Sequence, residues 1–330
     1  MILIVTGPQD VTADAVEACL RARGAASRRF DPADYPARAR LSFALDARGR
    51  VEATLRTDGR CIALHELDAI WFRRPGRPQP DEALADERVR RYVAAECEQH
   101  LDDVWAALPV RCFPAPPLVL AHAALKATQL VRAGELGFEL PATLFTTDEQ
   151  ALLDFHRAND GHVISKLAGP AFNRTFGPEL ARYTEPIAAR DVGQLDAVRF
   201  APAIYQAALD KRVELRVTVV GERVFAVEIH SQATRRTRGD WRRYDVAHTP
   251  HRPHALPAEL EARCVALVRR LGLDYGAIDF VLTPDGRYVF LEINPNGQFL
   301  WLEQLTGLPI ADAIAERLCA PRRRDQGAHE

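Results

Sequence analysis

The sequence lacks the glycine, lysine and serine patterns on which several familiar active sites depend. None of the 19 glycines is separated from another by a single residue, so the G-x-G-x-x-G fingerprint of dinucleotide-binding proteins is absent. No lysine follows a glycine, which excludes a Walker-type phosphate loop. None of the four serines lies in a G-x-S-x-G sequence, so a serine-hydrolase nucleophile elbow is excluded as well.

The chain also lacks cysteine pairs, long apolar runs and an excess of charge. No two of its six cysteines lie within four residues of each other, which excludes paired-cysteine zinc or redox motifs and gives no sign of a disulfide framework. The net charge of −2 gives no electrostatic reason to expect binding to nucleic acid or to a membrane surface. The short apolar run at residues 1–5 has no basic flank and predicts a buried strand rather than a signal peptide. We expect a reduced, soluble, cytoplasmic protein with no nucleic-acid partner and no membrane partner.

Only three of the 43 basic residues are lysine, namely Lys126, Lys166 and Lys211. Arginine serves equally well wherever a solvated positive charge is enough, but it does not replace a compact ammonium on a flexible stem. The three lysines therefore either mark positions that need such a cation or have survived by chance.

The length and the pattern of elements predict an α/β (α+β) protein built from more than one unit. A chain of 330 residues exceeds the size at which a single core usually stops growing. Four prolines between residues 109 and 117 mark a boundary. We predict units at 1–115, 116–202 and 203–330.

Hydrophobic periodicity predicts the strands and helices. Strands are expected at 2–5, 26–30, 41–45, 51–56, 69–72, 142–145, 162–167, 203–206, 214–220, 224–229, 277–282 and 287–293. Helices are expected at 11–23, 82–108, 148–158 and 257–271, together with one that carries Lys126. For His248, His251 and His254 a solvated loop is predicted rather than a metal site, because two intervening prolines prevent one helical face from gathering them.

The last predicted hairpin carries three oxygen donors. Glu292 and Asn294 are two residues apart on a strand, so both side chains emerge on one face. If residues 285–286 form a two-residue turn, Asp279 pairs directly opposite Glu292. Pro284 favours a bulged three-residue turn instead, which would shift the register by one residue.

Carboxylate and amide oxygens are hard ligands, and they suit a magnesium ion that keeps waters and bridges substrate phosphates. A polar hairpin face in water is the alternative explanation. The two strands are otherwise strongly apolar, however, and buried carboxylates need a cation partner. The pattern therefore predicts a metal site formed by Asp279, Glu292 and Asn294.

Several short motifs occur in the order and approximate spacing of ATP-grasp ligases. They are Lys126, Lys166, Gln206-Ala207-Ala208-Leu209, Val213-Glu214-Leu215-Arg216, Asp240-Trp241-Arg242, Asp279 and Glu292-Ile293-Asn294. The sequences at 71–75 and 292–300 resemble those of the microviridin-type ribosomal-peptide ligases, also called graspetide synthetases. The resemblance covers about residues 116–320 as the ATP-grasp proper, and residues 1–115 resemble the α/β domain that precedes it.

The resemblance implies ATP and Mg²⁺ as cofactors and assigns binding roles by position. Lys126 and Lys166 would reach the nucleotide phosphates, although either could be a surface lysine with a packed stem. Glu214 would accept the ribose hydroxyls, the alternative being an exposed strand residue in an ion pair. The backbone that reads adenine would be provided by Gln206, Ala207, Ala208 and Leu209. Magnesium would be held by Asp279, Glu292 and Asn294.

Two arginines receive catalytic roles from the same resemblance. Arg242 would face the transferred phosphate, and Arg216 would assist the acyl phosphate unless it forms a salt bridge on the strand face. Lys211 lies just past the adenine hinge and receives no role. The loop at 168–174 has fewer glycines than many ATP-grasp phosphate lids, so the amides that would cover the phosphates are not assigned.

The activity implied by the resemblance is ADP-forming macrocyclisation of a ribosomal precursor peptide with a leader and an acidic core, by a cytoplasmic homodimer. Side-chain carboxylates would be activated as acyl phosphates and linked to Ser/Thr as esters or to Lys as amides. The arginines at 235–238 would attract the acidic core, or they form a solvated basic loop. An intermolecular ligase that adds an amino acid is the alternative activity, and a nucleotide-binding scaffold without turnover is a third.

Overall fold

The computed structural model describes residues 1–169, 183–187, 191, 197–233 and 248–321. Mixed helices and sheets confirm the predicted α/β (α+β) class. The strands are β1 (Ile2–Thr6), β2 (Ser27–Phe30), β3 (Arg40–Leu45), β4 (Val51–Thr57), β5 (Arg60–Ala63), β6 (Ala69–Arg74), β7 (Arg111–Phe113), β8 (Thr143–Thr146), β9 (Val163–Lys166), β10 (Glu185–Pro186), β11 (Ala203–Ala207), β12 (Val213–Val220), β13 (Arg223–Ile229), β14 (His251–His254), β15 (Tyr275–Leu282) and β16 (Tyr288–Asn294). The α-helices are α1 (Val11–Ala22), α2 (Glu87–Ala107), α3 (Pro117–Ala123), α4 (Lys126–Glu135), α5 (Glu149–Ala158), α6 (Ala258–Arg270), α7 (Leu300–Thr306) and α8 (Ile310–Cys319).

The first sheet is parallel, in the order β2-β1-β6-β7, with helices on both faces. Residues 2–5 of β1 are all apolar, as expected of a strand that is buried on both faces. Ile2 and Ile4 pack against α1 and α8, and Leu3 and Val5 pack on the α2 side. Strands β3, β4 and β5 form a separate antiparallel sheet beside it.

Helix α2 begins at Glu87 rather than at the predicted residue 82. The Asp86 carboxylate accepts a hydrogen bond from the amide of Arg88, as a helix N-cap does. Residues 81–84 form a turn closed by the Leu84 amide on the Asp81 carbonyl. The apolar spacing therefore predicted the existence of α2 correctly. It did not predict the first residue of the helix, which is set by the Asp86 cap.

A second, antiparallel sheet has the order β10-β9-β11-β8, with Leu152 of α5 packed against it. Its strand β11 begins at Ala203, the first residue of the predicted third unit. In the register of β9 and β11, Lys166 faces Ile204 and Ile164 faces Gln206. These four side chains share one face of the sheet because alternate residues point the same way.

A third sheet is antiparallel, in the order β14-β13-β12-β15-β16. Alternate residues of β12 and β15, among them Leu215 and Phe280, pack with helix α6 in one core. The opposite face therefore carries Glu214, Arg216 and Asp279, with Arg216 directly across from Asp279.

The histidine-rich segment corrects one prediction, because His251–His254 form the edge strand β14 rather than a solvated loop. The Glu228 carboxylate lies 2.7 Å from His254 Nδ1 and 2.8 Å from His230 Nε2. Burial acts to raise the pKa of Glu228, but these two bonds outweigh it and hold the pKa below its usual value. Burial also lowers the pKa of His251. A strand requires only that alternate side chains share a face, so the prolines that exclude a helix do not exclude this arrangement.

Candidate active site

In the hairpin of β15 and β16, Asp279 pairs with Glu292, the pairing predicted for a two-residue turn. The turn nevertheless has three residues, which was the predicted alternative. Thr283 and Arg287 are joined by a backbone hydrogen bond of 3.0 Å, which leaves a three-residue turn at 284–286. This turn pairs Phe280 with Phe290, and a β-bulge then shifts the register by one residue. Asp279 consequently pairs with Glu292, and Asn294 follows on the same face.

Arg216 is buried against Asp279. Its Nη1 atom lies 2.9 Å from each carboxylate oxygen, so the predicted alternative of a strand-face salt bridge is present. Burial acts to lower the pKa of Arg216, but the Asp279 carboxylate outweighs it and raises the pKa above its ordinary value. Gly297 passes directly over the guanidinium, and a Cβ at this position would lie 2.6 Å from Arg216 Nη2. Only glycine allows this approach without displacing the arginine.

Lys126 is the first residue of helix α4, and its Nζ lies 3.0 Å from Glu292 Oε2. Gln129, one turn further along, is buried and fixes the helix to β16. Its Nε2 donates to the Ala123 and Ile293 carbonyls at 2.6 and 2.7 Å, and its Oε1 accepts from the Ile293 amide at 3.2 Å. The position of Lys126 relative to the hairpin is therefore set by a glutamine that the sequence analysis did not single out.

On the other side of the cavity, Lys166 Nζ donates to Gln206 Oε1 at 2.6 Å, and Gln206 Nε2 donates to Thr143 Oγ1 at 3.0 Å. In the predicted adenine hinge, the amides of Ala207 and Ala208 donate to the carbonyls of Ala142 and His162. Neither amide is therefore available to a base. The Leu209 amide makes no hydrogen bond within the described part of the chain.

Glu214 is almost fully buried on β12, which corrects the alternative of an exposed strand residue. Lys211 Nζ lies 2.8 Å from its Oε1 atom. Among the described residues, its Oε2 atom is buried without a hydrogen-bond partner. Such an atom is costly unless a ligand donor completes it.

These side chains surround one cavity of about 550 Å³. The predicted site residues that line it are Lys126, Lys166, Gln206, Ala207, Leu209, Glu214, Asp279, Glu292 and Asn294. Arg216 lies behind Asp279, Ala208 is not among the lining residues, and Arg242 falls outside the described residues. The cavity wall also contains Lys211 and the apolar Ile164, Val281 and Leu291.

The donor set suits magnesium, although each acid is paired with a cation. The described residues contain no group of three His, Cys, Asp or Glu side chains placed to hold a metal. Two carboxylates and one amide oxygen nevertheless fit an ion that takes only one or two protein carboxylates and completes its shell with phosphate and water.

The fold and this arrangement are those of an ATP-grasp ligase, an ADP-forming enzyme class. Residues 1–115 match the family model described as the MvdD pre-ATP grasp domain. The macrocyclase MdnC of Microcystis aeruginosa MRC, solved with its precursor peptide MdnA, is 30% identical with a TM-score of 0.84, over 97% of this chain and 99% of that chain. A ligase from Chryseobacterium gregarium associated with ribosomally synthesised and post-translationally modified peptides (RiPPs) is 28% identical with a TM-score of 0.88, over 98% of each chain. The macrocyclase MdnB of Microcystis aeruginosa MRC is 28% identical with a TM-score of 0.79, over 96% and 98%.

The chain belongs to the family of RiPP-associated ATP-grasp ligases that includes MdnC. The predicted family is therefore confirmed. No curated protein matches the sequence. Within the described residues, no helix combines the length and the apolar character needed to span a membrane. All six cysteines are free thiols.

Proposed function

We propose that this ligase activates an Asp or Glu side-chain carboxylate of a ribosomal precursor peptide with ATP and closes a ring on that peptide. The observation that carries the proposal is the single cavity in which Lys126, Lys166, Glu214, Asp279 and Glu292 converge. It is supported by the MdnC structure with its precursor peptide and by the Chryseobacterium ligase in complex with ADP and a leader and core peptide.

The residues present fit a magnesium nucleotide. Glu214 Oε2, which has no partner among the described residues, matches a ribose hydroxyl donor. The Leu209 amide makes no hydrogen bond to those residues and can donate to an adenine. Ile164, Val281 and Leu291 form apolar walls suited to a base. Lys126 and Lys166 are placed for the phosphates, and Asp279, Glu292 and Asn294 for Mg²⁺. When bound, the metal neutralises charge on the phosphates of ATP, which supplies the transferred phosphoryl group.

The peptide supplies the nucleophile in both steps of the proposed reaction. A carboxylate oxygen attacks the γ-phosphorus, the bond from that phosphorus to the bridging oxygen breaks, and ADP leaves. A Ser/Thr hydroxyl or a Lys amine of the same peptide then attacks the acyl carbon, loses its proton and displaces phosphate. The peptide thereby loses one water for each ester or amide formed.

The chain's own contribution to these steps is positioning and charge. Arg216 holds Asp279 in place through Nη1, which contacts both carboxylate oxygens, and keeps a buried positive charge beside the metal ligands. Arg242 is assigned to the transferred phosphate on the resemblance alone. We place the reaction in the cytoplasm, which the free thiols support, and assign it to a homodimer on the family likeness. The net charge of −2 gives no reason to expect a nucleic-acid partner.

Mass spectrometry tests the proposal. The protein is incubated with ATP, Mg²⁺ and a precursor peptide with Ser/Thr-rich and Asp/Glu-rich segments, sought in short reading frames beside its gene, and ADP is measured in parallel. We expect the peptide to lose the mass of one water per ring, with one ADP released for each loss. An unchanged peptide mass would refute the proposal, and a mass gain that requires an added amine would identify an intermolecular ligase instead.

A further inference from the structure

A second cavity, of about 350 Å³, lies between the turn that follows β1, the start of α1, and the residues Arg74 and Gln298. It shares no lining residue with the cavity of about 550 Å³ proposed to bind ATP, called the nucleotide cavity from here on. Its lining includes Arg74, the last residue of β6.

The one acid in this cavity is already neutralised. Asp10 accepts hydrogen bonds from Thr6 Oγ1 and the Thr12 amide, both at 2.9 Å, and lies 3.4 Å from Nε of the buried Arg73. Asp10 also caps helix α1, accepting from the Thr12 and Ala13 amides. We therefore do not expect Asp10 or the start of α1 to bind a ligand in this cavity.

Two of the other lining side chains, those of Arg74 and Gln298, carry hydrogen-bond donors. Arg73 Nη2 donates to Gln298 Oε1 at 2.6 Å, and because a guanidinium can only donate, this bond fixes which end of the amide is oxygen. The Gln298 NH₂ group is thus left as a donor. Arg74 lines the cavity and makes no hydrogen bond or ion pair with any described residue. A guanidinium and an amide NH₂ facing one cavity favour a carboxylate ligand.

A short loop links this cavity to the nucleotide cavity. Asn294 and Pro295 line the nucleotide cavity, and Gln298 lines the second one. Four residue steps span at most about 14 Å. Asn296 Nδ2 donates to the Phe72 carbonyl at 2.9 Å and to the Arg73 carbonyl at 2.6 Å, which holds the loop against β6. One extended peptide of about four residues can therefore reach both cavities.

We propose that the second cavity binds a carboxylate side chain of the peptide substrate through Arg74 and Gln298, while another carboxylate of the same peptide enters the nucleotide cavity. This inference rests on the proposed function, since it takes the substrate to be an acidic peptide. It assigns Arg74 as a specificity residue that selects substrates with two acidic side chains about three to four residues apart.

Fluorescence anisotropy with two labelled, end-capped peptides tests this assignment. One peptide carries two glutamates separated by three residues, and in the other the second glutamate is glutamine. Both are titrated with the protein in the presence of ADP and Mg²⁺, which permits no turnover. Arg74→Gln is compared with Arg60→Gln, a matched change at an exposed arginine of β5.

We expect wild type and Arg60→Gln to bind the two-glutamate peptide about tenfold more tightly than the one-glutamate peptide, the size of one charge-assisted contact. Arg74→Gln should bind both peptides alike. The inference is overturned if wild type binds neither peptide, if it does not distinguish them, or if Arg74→Gln keeps the preference. Failure of the proposed function is a separate result, because it would show as no loss of water from the precursor while the Arg74-dependent preference remains.

Discussion

Lys126 Nζ lies 3.0 Å from Glu292 Oε2, so a cation assigned to phosphate and a carboxylate assigned to metal neutralise each other across the nucleotide cavity. Both side chains are about one quarter exposed. The pair stabilises each group while no ligand is bound, and each partner must be released when a magnesium nucleotide enters. Binding of the metal and binding of the phosphates are therefore coupled through this contact.

Replacing Lys126 should separate these two effects. In Lys126→Met the Glu292 carboxylate loses its competing cation, so Mg²⁺ should bind the nucleotide-free protein about three- to tenfold more tightly. ADP formation should fall because the phosphates lose a positive charge. Isothermal titration with MgCl₂ measures the first effect. Lys126→Arg is the control: it keeps the pair and the Mg²⁺ affinity but should still impair ATP use. Unchanged Mg²⁺ affinity in Lys126→Met would contradict the coupling.

Lys166→Ala and Glu292→Ala should each abolish ADP formation while leaving the fold intact. Both residues line the cavity rather than the core, so circular dichroism spectra should match wild type. Lys166→Arg should also turn over slowly, because a planar guanidinium does not follow the phosphates as a compact ammonium does. If both alanine variants release ADP at the wild-type rate, the residues of the nucleotide site have been assigned incorrectly.

Lys211 should act through Glu214. Loss of the 2.8 Å bond in Lys211→Met leaves the buried carboxylate without its positioning partner, and ATP should bind about tenfold more weakly. ATP and 2′-deoxy-ATP affinities are compared by titration, and the preference for the ribose should shrink in the variant. Arg212→Met, at the exposed neighbouring residue, is the matched control and should keep that preference. An unaltered preference in Lys211→Met would leave Lys211 without this role.

Gly297→Ala should destabilise the protein and disturb Arg216. The added methyl would lie 2.5 Å from the Ala277 Cβ and 2.6 Å from Arg216 Nη2, and overpacking of this kind costs about 1–3 kcal/mol. Urea unfolding measures the change in the free energy of unfolding. Gly169→Ala, where a Cβ meets nothing within 4 Å, is the comparison for stability. Equal stability of the two variants would mean that the loop relaxes away from Arg216.

The parts of the site that follow from local sequence could be predicted, and those that depend on distant contacts could not. The spacing of Glu292 and Asn294 on one strand placed them on one face, as the structure has them. Gln129 gave no signal, because its partner Ile293 is 164 residues away. For Glu214, the alternating pattern could not separate burial in a cavity from exposure on a strand face.

The pairing of Asp279 with Glu292 was predicted correctly, but the prediction did not include the β-bulge that produces it. Pro284 and Gly286 do favour a three-residue turn, which alone would have moved Asp279 out of register with Glu292. The β-bulge that restores the Asp279–Glu292 pairing follows Phe290 on the opposite strand. No glycine at this point in the sequence indicates a bulge. A register counted from a turn is therefore reliable only as far as the first irregularity in the ladder.

Helix α8 packs on the same face of the first sheet as α1, with Ile310, Ile314 and Leu318 in one core with Ile2 and Ile4. Along the chain, α8 follows almost everything else that the structure describes. During synthesis on the ribosome, the apolar face of the first sheet that α8 covers therefore remains partly exposed until α8 has been made. A chaperone that holds nascent chains should bind this chain through most of its translation, and a release-time experiment on stalled ribosomes would show the first sheet becoming protease-resistant only after α8 emerges.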